Sequence, residues 1–273
     1  MKLSFYRSAL LLAALAIIVI ITGALITSWE IAGRQAGSAV SPEVNEGLHR
    51  ALAIALTALA LGIAIWISSH PSPLWLRATA WSGVVTVLVG AALGWRTPPL
   101  PPKAAVVHAL MAHLFLSLSV VVAFGASAGW AREAERVDGS NYPLLRPVAI
   151  ATPPFVFLQI ILGAAYRHNM TSVILHVTAA MGVAFLALIG AVVVLQNFPG
   201  PASLRRAATA LITLVLVQVS LGIGAFVMLV LNAAGNFYFV ATTVGHVLVG
   251  ASTLAASVVF AMQVWRSVVP KQD

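Results

Sequence analysis

The sequence predicts an all-α, polytopic membrane protein: eight transmembrane helices arranged as two pseudo-symmetric four-helix bundles. Three observations carry that expectation: an extreme composition, eight apolar stretches of spanning length, and an internal repeat. Of 273 residues, 60% are hydrophobic and 8% charged, with a mean hydropathy of +0.99. Soluble domains carry about 25% charged residues, so a water-soluble globule is excluded. The net charge of +8 does not point to nucleic acid, because a phosphate-binding surface needs its cations clustered on one face. Here they are scattered at the ends of apolar segments.

A spanning helix needs about 20 mostly apolar residues to cross a hydrocarbon core of about 30 Å. Eight stretches qualify, at 9–28, 47–68, 74–93, 104–125, 148–166, 171–195, 207–231 and 242–264, joined by short Pro-, Gly- or Ser-rich connections such as 69–72, 97–102 and 197–203. The first follows Lys2 and Arg7 as a signal peptide would, but its apolar run is too long for an h-region and no small-residue cleavage site follows. It reads as a retained anchor. With the N-terminus cytoplasmic, that side holds Lys2, Arg7, Arg77, Arg132, Arg136, Arg146, Arg205, Arg206, Arg266 and Lys271. The far side holds only Arg34, Arg50, Arg96, Lys103 and Arg167. The positive-inside rule then places both termini in the cytoplasm of a cell whose plasma membrane the chain crosses.

The polar stretch around Arg132, Glu133, Glu135, Arg136 and Asp138 divides the chain into an N-terminal half (1–126), a cytoplasmic linker (127–147) and a C-terminal half (148–273). Ile21-Thr22-Gly23-Ala24 in span one matches Ile161-Leu162-Gly163-Ala164 in span five, and Val89-Gly90 in span three matches Leu221-Gly222 in span seven. Gln159-x-x-Leu162-Gly163 and Gln218-x-x-Leu221-Gly222 share a further pattern. Each half has an even number of spans, so the copies run in the same sense about a pseudo-twofold axis along the membrane normal.

There is no cysteine, which excludes disulfides, thiolate metal sites and iron–sulfur clusters. Seven histidines remain as metal donors. A polar side chain within a membrane span is costly unless it faces the bundle interior and finds a partner, so its placement points to function. His49, His108, His176 and His246 lie near the start of spans two, four, six and eight, at one depth in the outer leaflet. Each is followed at i+4, on the same helical face, by a small residue: Ala53, Ala112, Ala180 and Gly250. That spacing leaves room beside each imidazole for a planar macrocycle. Histidines from two facing helices give axial ligation to heme iron, and the simplest pairing is His49 with His108 and His176 with His246. The plainer reading keeps them as interhelical hydrogen bonds or a proton path. Zinc would need a third or fourth close donor in each half.

His113 is the alternative to His108, about 140° further round the same helix. His70 precedes Pro71 in a turn and is expected to be solvated; His168 either meets a heme carboxylate or faces water. Glu46 precedes His49 by three residues, on the same helical face. It either takes protons from a substrate, with Arg50 holding carboxylates, or it and Arg50 are a helix-end acid and an interfacial anchor.

With Glu46-Gly47-Leu48-His49-Arg50 opening span two, a histidine in each even-numbered span, and Leu162-Gly163-Ala164-Ala165-Tyr166-Arg167-His168 leaving span five, the chain resembles the heme A synthase family over nearly its whole length. It departs in lacking the cysteine pair of many members and in its shorter loop at 167–171. The resemblance implies a heme-dependent oxidoreductase of cytochrome oxidase assembly that converts heme O to heme A by oxidising the C8 methyl group to a formyl group. Carried over, His49 and His108 flank the substrate heme O, Arg50 assists its binding, Glu46 is the catalytic carboxylate, and His176 and His246 ligate heme b. The implied partners are heme O synthase, cytochrome oxidase assembly factors, lipid and further copies of the chain, with no nucleic acid. Two other functions fit the pattern: a non-catalytic diheme cytochrome relaying electrons from quinol, and a heme-free transporter built on the parallel repeat.

Overall fold

The computed structural model describes residues 2–36, 43–95, 100–231, 233 and 236–269, with backbone alone at 2–3, 34–36 and 43–45. Of the charge tally, Arg96 and Lys271 lie outside the described residues, as do residues 97–99 of one connection and the side chains of Lys2 and Arg34. Among the described residues, eight helices are long and apolar enough to cross a membrane. They are α1 (Lys2–Ala36), α2 (Glu43–Ser68), α3 (Leu74–Gly94) and α4 (Pro102–Gly125), then, after the short α5 (Ala128–Ala131), α6 (Leu145–Arg167), α7 (Val173–Asn197), α8 (Ala202–Val230) and α9 (Phe237–Ser267). The chain is an all-α, multi-pass membrane protein.

Several helices outrun the apolar stretches that announce them. At a rise of about 1.5 Å per residue, the 35 residues of α1 extend about 52 Å, well beyond the hydrocarbon core. Hydropathy marks only the part immersed in lipid. Span five carries Pro153 and Pro154 inside α6 without ending it, as membrane helices tolerate proline. Helix α6 stops where Asn169 adopts φ 57°. There Met170 N–H bonds the Ala165 carbonyl and Asn169 N–H the Tyr166 carbonyl, a Schellman ending, and Ser172 then caps α7. The connection can therefore be very short.

Packing runs round two rings, α1–α2–α3–α4 and α6–α7–α8–α9, each helix touching the two beside it. Helices α2 and α4 thus stand on one diagonal of the first ring, and α7 and α9 on one diagonal of the second. The halves meet through α1 against α9, α4 against α6, and α4 against α9. That set is its own image when α1 exchanges with α6 and α4 with α9, as a twofold axis along the bundles requires. Each ring has its own buried core. One is built around Leu56, Ile63, Val84, Phe115 and Leu116, the other around Val194, Leu204, Leu211, Phe260 and Val264. Both cores lie toward the end that carries the linker. The wide apolar surfaces outside, such as Ile174, Met181 and Phe185 on α7, face lipid.

The linker is more ordered than a polar connection requires. Val137–Asp138 (β1) pairs in parallel with Val268–Val269 (β2) beyond α9, a contact the sequence does not announce. Arg266 donates to the Gly129 and Arg132 carbonyls and lies over the Trp130 ring, which also meets Trp75 and Phe124 edge-on. Arg146 reaches the Trp265 carbonyl at 2.6 Å. Within the linker, the backbone N–H and hydroxyl of Ser140 both bond Asp138, holding its carboxyl below the usual carboxylate range.

Candidate functional site

Near the end of the bundles away from the linker, the four histidines of the even-numbered spans meet in two pairs. His49 of α2 and His108 of α4 have ring centroids 6.1 Å apart and planes at 68°. His176 of α7 and His246 of α9 repeat the arrangement at 6.2 Å and 78°. Each pair spans the diagonal of its ring of helices, so the space between the rings lies on the bundle axis.

Glycines set the seats. A methyl group added at Gly23 would fall 3.2 Å from His49 Cε1, at Gly94 2.5 Å from His108 Cε1, at Gly163 2.9 Å from His176 Cε1, and at Gly222 3.0 Å from His246 Cε1. Each imidazole therefore rests on bare backbone of the preceding helix, with the least room at Gly94 and Gly163 and slightly more at Gly222 and Gly23. This corrects the repeat register: Gly222 corresponds to Gly94, one turn beyond Gly90. The small residues at i+4 play a lesser part, since the space beside Gly250 is taken by the Gln218 amide, 3.1 Å from where its methyl would be.

The residue four positions before each glycine supplies the second half of the seat. His108 Nδ1–H donates to the Gly90 carbonyl at 2.8 Å, and His246 Nδ1–H to the Gln218 carbonyl at 3.2 Å. In span one the Thr22 hydroxyl donates to the Val19 carbonyl at 2.9 Å and so accepts from His49 Nδ1–H at 2.8 Å. An acceptor at Nδ1 fixes the tautomer and leaves the lone pair on Nε2, as a metal-binding imidazole needs. His176 differs, because the Gln159 amide donates to both its backbone carbonyl (2.8 Å) and its Nδ1 (2.9 Å). Thr22, Gln159 and Gln218 were visible in the sequence as repeat residues, whereas Gly94 lies just past the stretch read as span three and was not singled out. Their role was not visible, because it depends on backbone carbonyls that any residue possesses.

His113 does not join the pair. It is buried and bonds the Ala109 carbonyl of its own helix, so the partner of His49 is His108. His70 is half-buried against Trp66, bonding that residue's carbonyl at 2.8 Å, which replaces the expected solvated turn. Glu46 lies one turn before His49 and forms an ion pair with Arg50 at 3.7 Å; Glu46 is the less exposed of the two, at 23% against 40%. At the junction of the halves, Arg167 of α6 donates to Ser28 Oγ at 3.0 Å and reaches the Ala24 carbonyl of α1. Thr243 of α9 joins it through Ser28. Arg167 thus sits between the two histidine pairs, a placement the topology tally alone did not reveal.

The donor set can be tested against a heme. Two metal–nitrogen bonds of about 2.0 Å, extended to the ring centres by about 1.1 Å each, place imidazole centroids about 6.2 Å apart. Both pairs meet that separation. Among the described residues no three His, Cys, Asp or Glu side chains converge, so each pair offers two axial ligands and a planar macrocycle would supply the rest. The fold and site define a multi-pass helical membrane protein with two diagonal imidazole pairs. No family model matches the chain, and no curated protein matches it significantly.

Proposed function

We propose that the chain is a heme-dependent membrane oxidoreductase of the heme A synthase kind, oxidising the C8 methyl group of heme O to the formyl group of heme A, a four-electron oxidation in which water supplies the oxygen, four protons are released and the electrons leave to an external one-electron acceptor. The observation that carries this reading is the pair of imidazole separations, 6.1 and 6.2 Å, one in each half. His49 and His108 hold the substrate heme O by its iron. His176 and His246 hold heme b, which supplies one-electron redox chemistry when bound. Glu46 is a carboxylate one helical turn from a ligand histidine. Its place one turn from His49 suits it to accept protons released at the methyl carbon, while Arg50, paired with it at 3.7 Å, offers donors to heme carboxylates. The charge tally supports cytoplasmic termini in the plasma membrane, and the substrate makes heme O synthase and cytochrome oxidase assembly factors the natural partners.

The test is co-expression with a source of heme O, followed by an optical spectrum of the purified chain and mass spectrometry of its extracted hemes. Hydroxylated or formylated heme is the expected product; bound heme without it would overturn the assignment. A second reading, a diheme cytochrome relaying electrons from quinol, is favoured by the Glu46–Arg50 ion pair, which a purely structural helix end would also form. Glu46→Gln decides between them. An oxidase loses its product while keeping its heme content, whereas a relay keeps its rate of reduction by quinol.

A further inference from the structure

The glutamines of the C-terminal half have work to do that the ligand assignment does not explain. Gln159 and Gln218 occupy equivalent positions, four residues before Gly163 and Gly222. Each has a buried amide oxygen without a hydrogen-bond partner, an arrangement that costs free energy. Each spends its amide nitrogen on an imidazole. Gln159 Nε2 can only be the nitrogen, because it lies 2.8 Å from the His176 carbonyl, and its other proton points to His176 Nδ1 at 2.9 Å. Gln218 Nε2 lies 3.2 Å from His246 Nε2, whose lone pair is the acceptor there because Nδ1–H is given to the Gln218 carbonyl. In the N-terminal half the same two positions are Val19 and Gly90, which have no polar side chain, and the bonds recorded for the His49 and His108 rings are made at Nδ1.

Resting on the heme reading above, we infer that Gln159 and Gln218 are positioning residues that cap the C-terminal imidazoles. Their amides compete with iron for the ring nitrogens. A lone pair that accepts an amide N–H cannot bind a metal at the same time, so loading the C-terminal pair would exchange two amide hydrogen bonds for two bonds to the metal. Loading the N-terminal pair requires no such exchange. The caps thus make the C-terminal pair slow to load and selective for an occupant that binds both nitrogens. They leave the N-terminal pair open to a heme that comes and goes as substrate.

The experiment uses the full-length chain purified without heme in detergent. Diethyl pyrocarbonate, which reacts at a free imidazole lone pair, is followed histidine by histidine through peptide mass spectrometry. In the Gln159→Leu/Gln218→Leu variant, His176 and His246 should react about fivefold faster than in wild type, the factor set by one hydrogen bond of ordinary net strength, with His49 and His108 unchanged. The reciprocal Val19→Gln should slow His49 by a similar factor and gives a second measurement should the double variant fold poorly. Hemin titration should show the C-terminal site of the double variant filling faster by the same order. Unaltered reactivity in both variants overturns the caps. Protection by the glutamines in a chain that binds no hemin leaves the caps standing and removes the heme reading instead.

Discussion

Superposed in the mind along their common axis, the two halves seat their imidazoles in the same way and surround them with different chemistry. In both, a glycine of the preceding span lies under each ring, and at His49, His108 and His246 the residue one turn earlier presents its carbonyl toward Nδ1, directly or through Thr22. Around His49 stand Glu46 and Arg50; the same offsets from His176 are Val173 and Val177. Around His176 and His246 stand Gln159 and Gln218, where the first half has Val19 and Gly90. A duplicated scaffold has thus kept its backbone cradle and divided its side chains. A carboxylate and a guanidinium lie in one half, and neutral amides lie in the other. The lesson is that one backbone cradle can carry two different surroundings, set by the side chains around it.

That comparison breaks first at the ligands. Alanine at His49 or His108 should remove one heme per chain while leaving the C-terminal one, and alanine at His176 or His246 should do the reverse, as counted by pyridine hemochrome against protein. Loss of both hemes from any single substitution would mean the halves are not independent sites. The next largest effect belongs to the seats. Gly94→Ala pushes a methyl group to 2.5 Å from His108 and Gly23→Ala to only 3.2 Å from His49, so the first should weaken hemin binding to the N-terminal pair about tenfold, a cost of about 1.4 kcal/mol, and the second markedly less. Equal losses at the two positions would show that the glycines serve helix packing instead. Thr22→Val removes the acceptor of His49 Nδ1–H and should lower affinity at that pair by about tenfold, within the range for partners of metal-bound histidines, with the C-terminal site untouched. The smallest change is expected far from the histidines: Arg266→Ala, which loses the Trp130 contact and two carbonyl bonds, should lower the thermal midpoint by about 2–4 °C and leave both spectra as they were.

The eight spans and the level of the four histidines were readable in the sequence for one physical reason. Lipid imposes a minimum apolar length and makes a stray imidazole expensive, so both leave marks in residue type. The repeat was legible at Gly23 and Gly163 but misaligned by a turn at Gly90, because glycine is frequent in packed membrane helices and only the contact with His108 distinguishes Gly94. His108 and His113 could not be separated by composition, since the difference between them is which way the helix faces. The pairing of Val137–Asp138 with Val268–Val269 is two residues long on each side, too short to carry a period, and arises from where the bundles bring the chain ends. Helix α1 runs past its apolar stretch because nothing in its flanks breaks a helix, and hydropathy does not report on that.

The strand pair at the linker has a mechanical consequence. With β1 stitched to β2, Arg266 and Arg146 fastened across the same face, and both apolar cores gathered there, this end is held as one piece, while toward the histidine end the halves are joined by the polar bridge of Arg167, Ser28 and Thr243.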